Sequence, residues 1–103
     1  LNPDGGHLYY LLLGRAYLFE NDTEQALLNL RQAHARNAEN LETRLYLAAA
    51  LAARGERAEA EWEAEQIRVQ EPGFSMRGWL ETYPLTSAPH QRRMLELLAN
   101  LGL

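Results

Sequence analysis

A chain of 103 residues with 47% hydrophobic content has enough apolar surface for one small domain, which is expected to bury about two-thirds of its extended surface. The net charge is -4 and the ten basic residues are scattered, which disfavours contact with nucleic-acid phosphates. Cysteine is absent, so disulfides, thiolate zinc sites and thiol nucleophiles are excluded, while the cellular compartment stays open.

The residue types predict an all-α fold. Leu, Ala, Glu, Arg and Gln dominate, whereas Val and Ile occur once each, which is far from the β-branched enrichment of strands. Breaks at "NPDGG", "END", "RNAEN", "ARGE", "EPG" and "YPLTSAP" divide the chain into six helical segments.

The first segment, "YYLLLGRAYLFE", is apolar on nearly every side, with Arg15 as the charge in its interior. It is shorter than the roughly 20 apolar residues that cross a bilayer, and no basic region precedes it as in a signal peptide. We therefore predict no membrane association. Both faces of this helix are expected to pack against protein.

The first four segments form an internal repeat, which becomes visible when the chain is shifted against itself by 34 residues. The shift pairs Leu13 with Leu47, Gly14 with Ala48, Tyr17 with Leu51, Asn21 with Gly55, Ala26 with Ala60, and Ala33 with Ile67. Asn21 and Gly55 are residue types that tolerate a left-handed helix C-cap. Asp22 followed by Gln25 predicts a capping box that opens the second helix.

Helix pairs with a period of about 34 residues are typical of tetratricopeptide (TPR) domains, and this chain resembles them. The first copy carries the resemblance through Tyr10, Leu13, Gly14, Tyr17, Ala26, Leu30 and Ala33. The second copy has Leu47, Ala48, Leu51, Gly55, Ala60, Ala64, Ile67 and Pro72. The resemblance implies an α-α superhelix: the end of a preceding repeat or linker at 1–6, repeats at 7–40 and 41–74, and a C-terminal capping helix pair at 75–103.

Some positions in these repeats carry particular expectations. Gly14 is expected to let the second helix approach closely, with Ala26 as the matching small residue. Arg44 replaces the large aromatic residue that the motif prefers, and Ala64 and Ala38 also depart from it. We expect looser packing in the second repeat, with the stem of Arg44 along the core and its charged head in water.

The remainder, "EPGFSMRGWLETYPLTSAPHQRRMLELLANLGL", makes the resemblance more specific. Together with the repeats, it is similar to the C-terminal TPR region of bacterial class III adenylate/guanylate cyclases and of related regulators with winged-helix domains. This resemblance implies a scaffolding or sensory module that is not itself an enzyme, whereas the parent protein would carry the cyclase or DNA-binding activity.

The first helix has a second apolar face, opposite the intra-repeat core of Tyr10, Leu13, Gly14 and Tyr17. In a TPR array that face lines the concave surface, so we predict binding there of a protein helix or extended segment with apolar anchors and a carboxylate for Arg15. The predicted partner-binding residues are Leu8, Leu11, Leu12, Arg15, Leu45, Tyr46, Trp79 and Tyr83.

Other occupants of this face stay open. The tail supplies apolar stripes of its own around Met76 and Trp79 and again around Met94, and these could cover the face from within the chain. Self-association as a homodimer is another alternative, and a small apolar ligand between the face and the tail is a third. If a preceding repeat is missing, Tyr9 and Ala16 are expected to be exposed.

No residue pattern predicts catalysis, a metal or a cofactor. His7, His34 and His90 lack the spacing of helical metal ligands and are interpreted as surface histidines. "PDGGH" lacks the Lys-Ser/Thr of a phosphate loop. The glutamates from Glu59 to Glu65 are interpreted as the solvated face of a helix, with no carboxylate dyad.

Overall fold

The computed structural model describes residues 6–82 and 87–103, and within these ranges the chain is helical with short turns and no strand. The fold is therefore all-α, as predicted. The six α-helices are α1 (His7–Phe19), α2 (Thr23–Arg36), α3 (Leu41–Ala53), α4 (Arg57–Gln70), α5 (Met76–Thr82) and α6 (Ala88–Leu98). A 3-10 segment, Ala99–Leu101, follows α6. None of the described helices is long and apolar enough to cross a membrane.

The first four helices form two hairpins that follow the sequence repeat, since α3 begins at the position equivalent to the start of α1, and α4 at the position equivalent to the start of α2. Asn21 and Gly55 end the first helix of each hairpin with φ angles of 63° and 79°, which confirms the predicted left-handed caps. The side chain of Asp22 accepts a hydrogen bond from the backbone nitrogen of Gln25 at 3.2 Å. Asn40 caps α3 in the same way through the nitrogen of Thr43 at 2.8 Å.

Gly14 lies on the side of α1 that packs closely against Leu30 of α2. A Cβ atom at this position would stand 2.5 Å from Cγ of Leu30, well inside van der Waals contact. The prediction that Gly14 permits a close approach is confirmed, but the atoms nearest to it belong to Leu30 and not to Ala26.

The C-terminal helices pack over the second hairpin and complete the core. Met94 and Leu98 of α6 are fully buried, and α6 packs against α3. The guanidinium of Arg68 donates a hydrogen bond to the carbonyl of Leu101, which ties the 3-10 segment to α4. The tail, which comprises α5, α6 and the 3-10 segment, is therefore a structural part of the domain.

Arg44 differs from its prediction. Its side chain is mostly buried: Nη1 forms an ion pair of 2.8 Å with Oε1 of Glu63, and the guanidinium also lies 5.9 Å from the ring centre of Trp62. Glu63, predicted on a solvated face, is buried. The physical reason is the pairing of Arg44 on α3 with Glu63 on the adjacent α4, which lets both charged groups leave water. The core positions of this second hairpin, including Ala60 and Ala64, are fully buried.

Candidate functional site

The predicted partner-binding residues divide into a buried group and an accessible group. Leu11, Leu45 and Tyr46 are 2% exposed or less, so in this structure they belong to the core and are not offered to a partner. The interpretation that they line an open groove is corrected: helices of the same chain cover them. Trp79 is half-buried against this core, and Tyr83 lies outside the described residues.

Aromatic contacts show how the tail covers this face. The ring of His90, at the start of α6, stacks on Phe19 with a centroid distance of 3.9 Å. Phe19 meets Tyr46 edge-to-face at 6.2 Å, and Tyr46 meets Trp79 of α5 in the same manner at 6.1 Å. Such edge-to-face pairs add to the burial of apolar area. The rings thus join α1, α3, α5 and α6, and of the alternatives that the sequence left open, coverage by the tail is the one observed at Tyr46.

Arg15 stands at the border of the covered region. Its Nη1 lies 3.7 Å from Oε1 of Glu42, and both side chains are partly exposed. Burial raises the pKa of Glu42, and the neighbouring Arg15 opposes that rise. Burial also raises the pKa of Tyr46 to about 12, again against the attraction of Arg15. Arg15 therefore already forms an ion pair with a carboxylate of its own chain, that of Glu42.

The most accessible part of α1 is formed by the predicted residues Leu8 and Leu12 together with Tyr9 and Ala16. Leu8, Tyr9 and Leu12 are 56%, 62% and 45% exposed, and Ala16 is exposed one turn further along the helix. We call Leu8, Tyr9, Leu12 and Ala16 the α1 stripe. The predicted exposure of Tyr9 and Ala16 is confirmed. A run of apolar side chains in water over about two helical turns is typical of an interaction surface.

His7 is a residue whose role the sequence did not indicate. It is buried, not on the surface as predicted, and its Nε2 lies 2.8 Å from Oγ1 of Thr43. That hydroxyl donates its hydrogen to Oδ1 of Asn40 at 3.1 Å, so Nε2 of His7 is the donor to Thr43. The network links the start of α1 to the capped start of α3. Nothing in the sequence connects His7 to Asn40 and Thr43, which lie more than 30 residues away.

The described residues contain no group of three or more His, Asp or Glu side chains that could hold a metal ion. A surface depression of about 330 Å³ lies between the α3–α4 turn and the 3-10 segment, with Arg57, Glu96 and Asn100 among its lining residues. Arg57 crosses this region to donate to the carbonyl of Asn100 at 3.3 Å. The depression therefore contains a contact that holds the 3-10 segment against the start of α4.

A scan against protein-family models gives no match for this chain, and comparisons with curated proteins and with solved structures give no significant match either.

Proposed function

We propose that this chain is a TPR-type helical-repeat module that binds protein through the α1 stripe. The single observation that carries the proposal is the uncharged row of exposed side chains at Leu8, Tyr9, Leu12 and Ala16. The helix starts and the left-handed caps recur at the same spacing in both hairpins, which supports the TPR assignment. As the resemblance to cyclase-associated regions implies, the module would serve a larger regulator as a scaffold and would have no catalysis of its own.

The partner surface that fits is apolar and helical or extended. Leu8 and Leu12 lie one turn apart and offer two anchors, which suits an amphipathic segment with residues at the same spacing. The pair of Arg15 and Glu42 borders the stripe and presents both signs of charge at its edge. This arrangement favours a partner with apolar residues at the centre and polar residues at the rim.

A binding experiment with a matched control tests the proposal. Leu12→Glu places a carboxylate in the middle of the stripe, whereas Leu28→Glu places one on α2 at a leucine of similar exposure, 56% against 45%. Both variants are expected to keep the helical circular dichroism of the parent chain, since both leucines are exposed. Each form is immobilised and used to capture proteins from the cell of origin, with quantification by mass spectrometry.

A protein that the parent chain and Leu28→Glu retain, and that Leu12→Glu loses by about tenfold or more, is the expected result. Equal recovery of every captured protein by all three forms would contradict a binding role of the α1 stripe.

A further inference from the structure

His7 is a buried polar residue at the start of the helix that carries the α1 stripe. Its side chain is buried, and its Nε2 donates a hydrogen bond to Oγ1 of Thr43 on α3. The hydroxyl of Thr43 donates in turn to Oδ1 of Asn40, the residue that caps α3. The start of α1 is therefore bonded to the start of another helix, which its own cap holds in place.

The first turn of α1, residues 7–10, has little local support of its own. Among the described residues, no side chain caps this helix: Gly6 precedes it, whereas Asp22 and Asn40 cap α2 and α3. The turn also contains no acidic residue to complement the positive end of the helix dipole. Helix ends without such partners fray, so the order of this turn depends on its contacts with other elements.

Apolar burial alone does not decide which side of this turn faces water. Leu8, Tyr9 and Tyr10 are all large, yet Leu8 and Tyr9 are exposed while Tyr10 is half-buried. The hydrophobic effect has no direction and would accept another choice among these three side chains. Gly14 orients α1 against α2, but it lies about two turns further along the helix. A hydrogen bond joins particular atoms at a particular angle, so the bond of His7 supplies the missing orientation.

The position of His7 on the helix connects this orientation to the α1 stripe. His7 and the buried Leu11 lie one turn apart on the same side of α1. Leu8 and Leu12 follow them by one residue each, which places both leucines about 100° further round the helix. While Nε2 of His7 stays on Thr43, Leu8 is therefore directed away from α3 and towards water.

We propose that His7 is a positioning residue of the α1 stripe: its hydrogen bond to Thr43 holds the first turn of α1 so that Leu8 and Tyr9 face water. The inference rests on the proposed function, because it concerns the order of the same surface. Without this bond, the first turn is expected to open locally. Leu11 then becomes accessible to solvent while the rest of the domain stays folded.

Thiol labelling tests this inference, because the chain has no cysteine of its own. Leu11→Cys reports opening at the start of α1, and Leu98→Cys, at a buried leucine of α6, reports unfolding of the domain. Thr43→Val removes the hydroxyl but keeps the side-chain shape and His7. It is expected to raise the labelling rate at position 11 by about tenfold or more. Low urea concentrations should leave that rate unchanged, since opening of one turn exposes little surface, whereas the rate at position 98 should rise with urea.

Conservative replacements separate the hydrogen bond from packing. Thr43→Ser keeps the hydroxyl and His7→Gln keeps a side-chain N–H donor, so both should label at position 11 within about threefold of the parent rate. His7→Leu removes the donor and should behave like Thr43→Val. The two replacements together should add little to either one alone, because both remove the same bond.

Equal labelling at position 11 with and without Thr43→Val would overturn the inference, as would a rate there that rises with urea as steeply as at position 98. Protein capture, measured as for Leu12→Glu, is expected to fall in Thr43→Val and to persist in Thr43→Ser; undiminished capture by Thr43→Val would overturn the link to the α1 stripe.

The two proposals fail in different ways. If labelling changes as expected but no capture depends on Leu12, the proposed function fails while His7 still orders the first turn. If capture depends on Leu12 but labelling at position 11 does not change, the proposed function stands and this inference fails.

Discussion

At the residue scale, the ion pair between Arg44 and Glu63 is largely buried. Their side chains are 12% and 11% exposed, whereas those of Arg31 and Glu59, which also pair between helices, are 55% and 60% exposed. Removing one partner of a buried pair leaves an uncompensated charge, which costs far more than the loss of a surface pair. The two pairs therefore offer a direct comparison within one protein.

We predict that Arg44→Met lowers the free energy of unfolding by about 3–5 kcal/mol. Arg31→Met, the surface control, is expected to change it by about 1 kcal/mol or less. Urea denaturation followed by circular dichroism measures both. Equal losses in the two variants would mean that Glu63 finds another partner or water when Arg44 is absent.

Tyr46 makes the stability of the fold sensitive to alkaline pH. Its pKa is about 12 in the folded chain against 10 for an ordinary tyrosine, so between these values the folded state holds a proton that the unfolded state has released. Stability therefore falls as pH rises through this window, by up to about 2–3 kcal/mol. We predict that Tyr46→Phe loses less stability than the parent chain between pH 10 and pH 12.

Thermal unfolding at several alkaline pH values checks this prediction. Tyr9→Phe is the control, because Tyr9 is 62% exposed and the variant should follow the parent chain. If the stability of the parent chain and that of Tyr46→Phe depend on pH in the same way, burial does not raise the pKa of Tyr46.

At the scale of the elements, α6 supplies core side chains to α3. Leu98 is fully buried, whereas Leu95 on the same helix is 43% exposed. We predict that Leu98→Ala lowers the free energy of unfolding by about 2–5 kcal/mol through the cavity that it leaves. Leu95→Ala is expected to change it by about 0.5 kcal/mol or less.

A second experiment shows whether the tail unfolds together with the rest of the domain. In a Trp62→Phe background, fluorescence reports Trp79 on α5 alone, and circular dichroism reports all helices. Coincident transitions are expected, because α6 shares its core with α3. A fluorescence transition that precedes the loss of helix would show that the tail separates before the hairpins unfold.

The helices and their caps could be predicted from the sequence because they depend on local chemistry. Asn21, Gly55 and Asp22 mark helix ends through their own backbone and side-chain preferences. The pairing of faces could not be predicted in this way, since apolar burial has no direction and any apolar stripe can cover another. The packing of Tyr46 against Trp79 of the tail is such a choice between equivalent stripes. The hydrogen bond between His7 and Thr43 likewise depends on how α1 sits on α3.

For the whole molecule, the second hairpin and the tail cover one side of α1 and leave the α1 stripe in contact with water. Among the described members of the predicted partner-binding set, Leu8 and Leu12 are the most exposed, and Arg15 lies at their border. The proposed function therefore requires that the α1 stripe is the surface through which this domain contacts protein.

Photo-cross-linking in the native cell tests that claim most directly. A photoreactive amino acid replaces Leu12 in one form of the protein and Leu28, the control of similar exposure, in another. We expect protein adducts at position 12, whether to a second copy or to another chain, that exceed those at position 28 by about tenfold. Equal yields at the two positions, or adducts at position 28 alone, would contradict it.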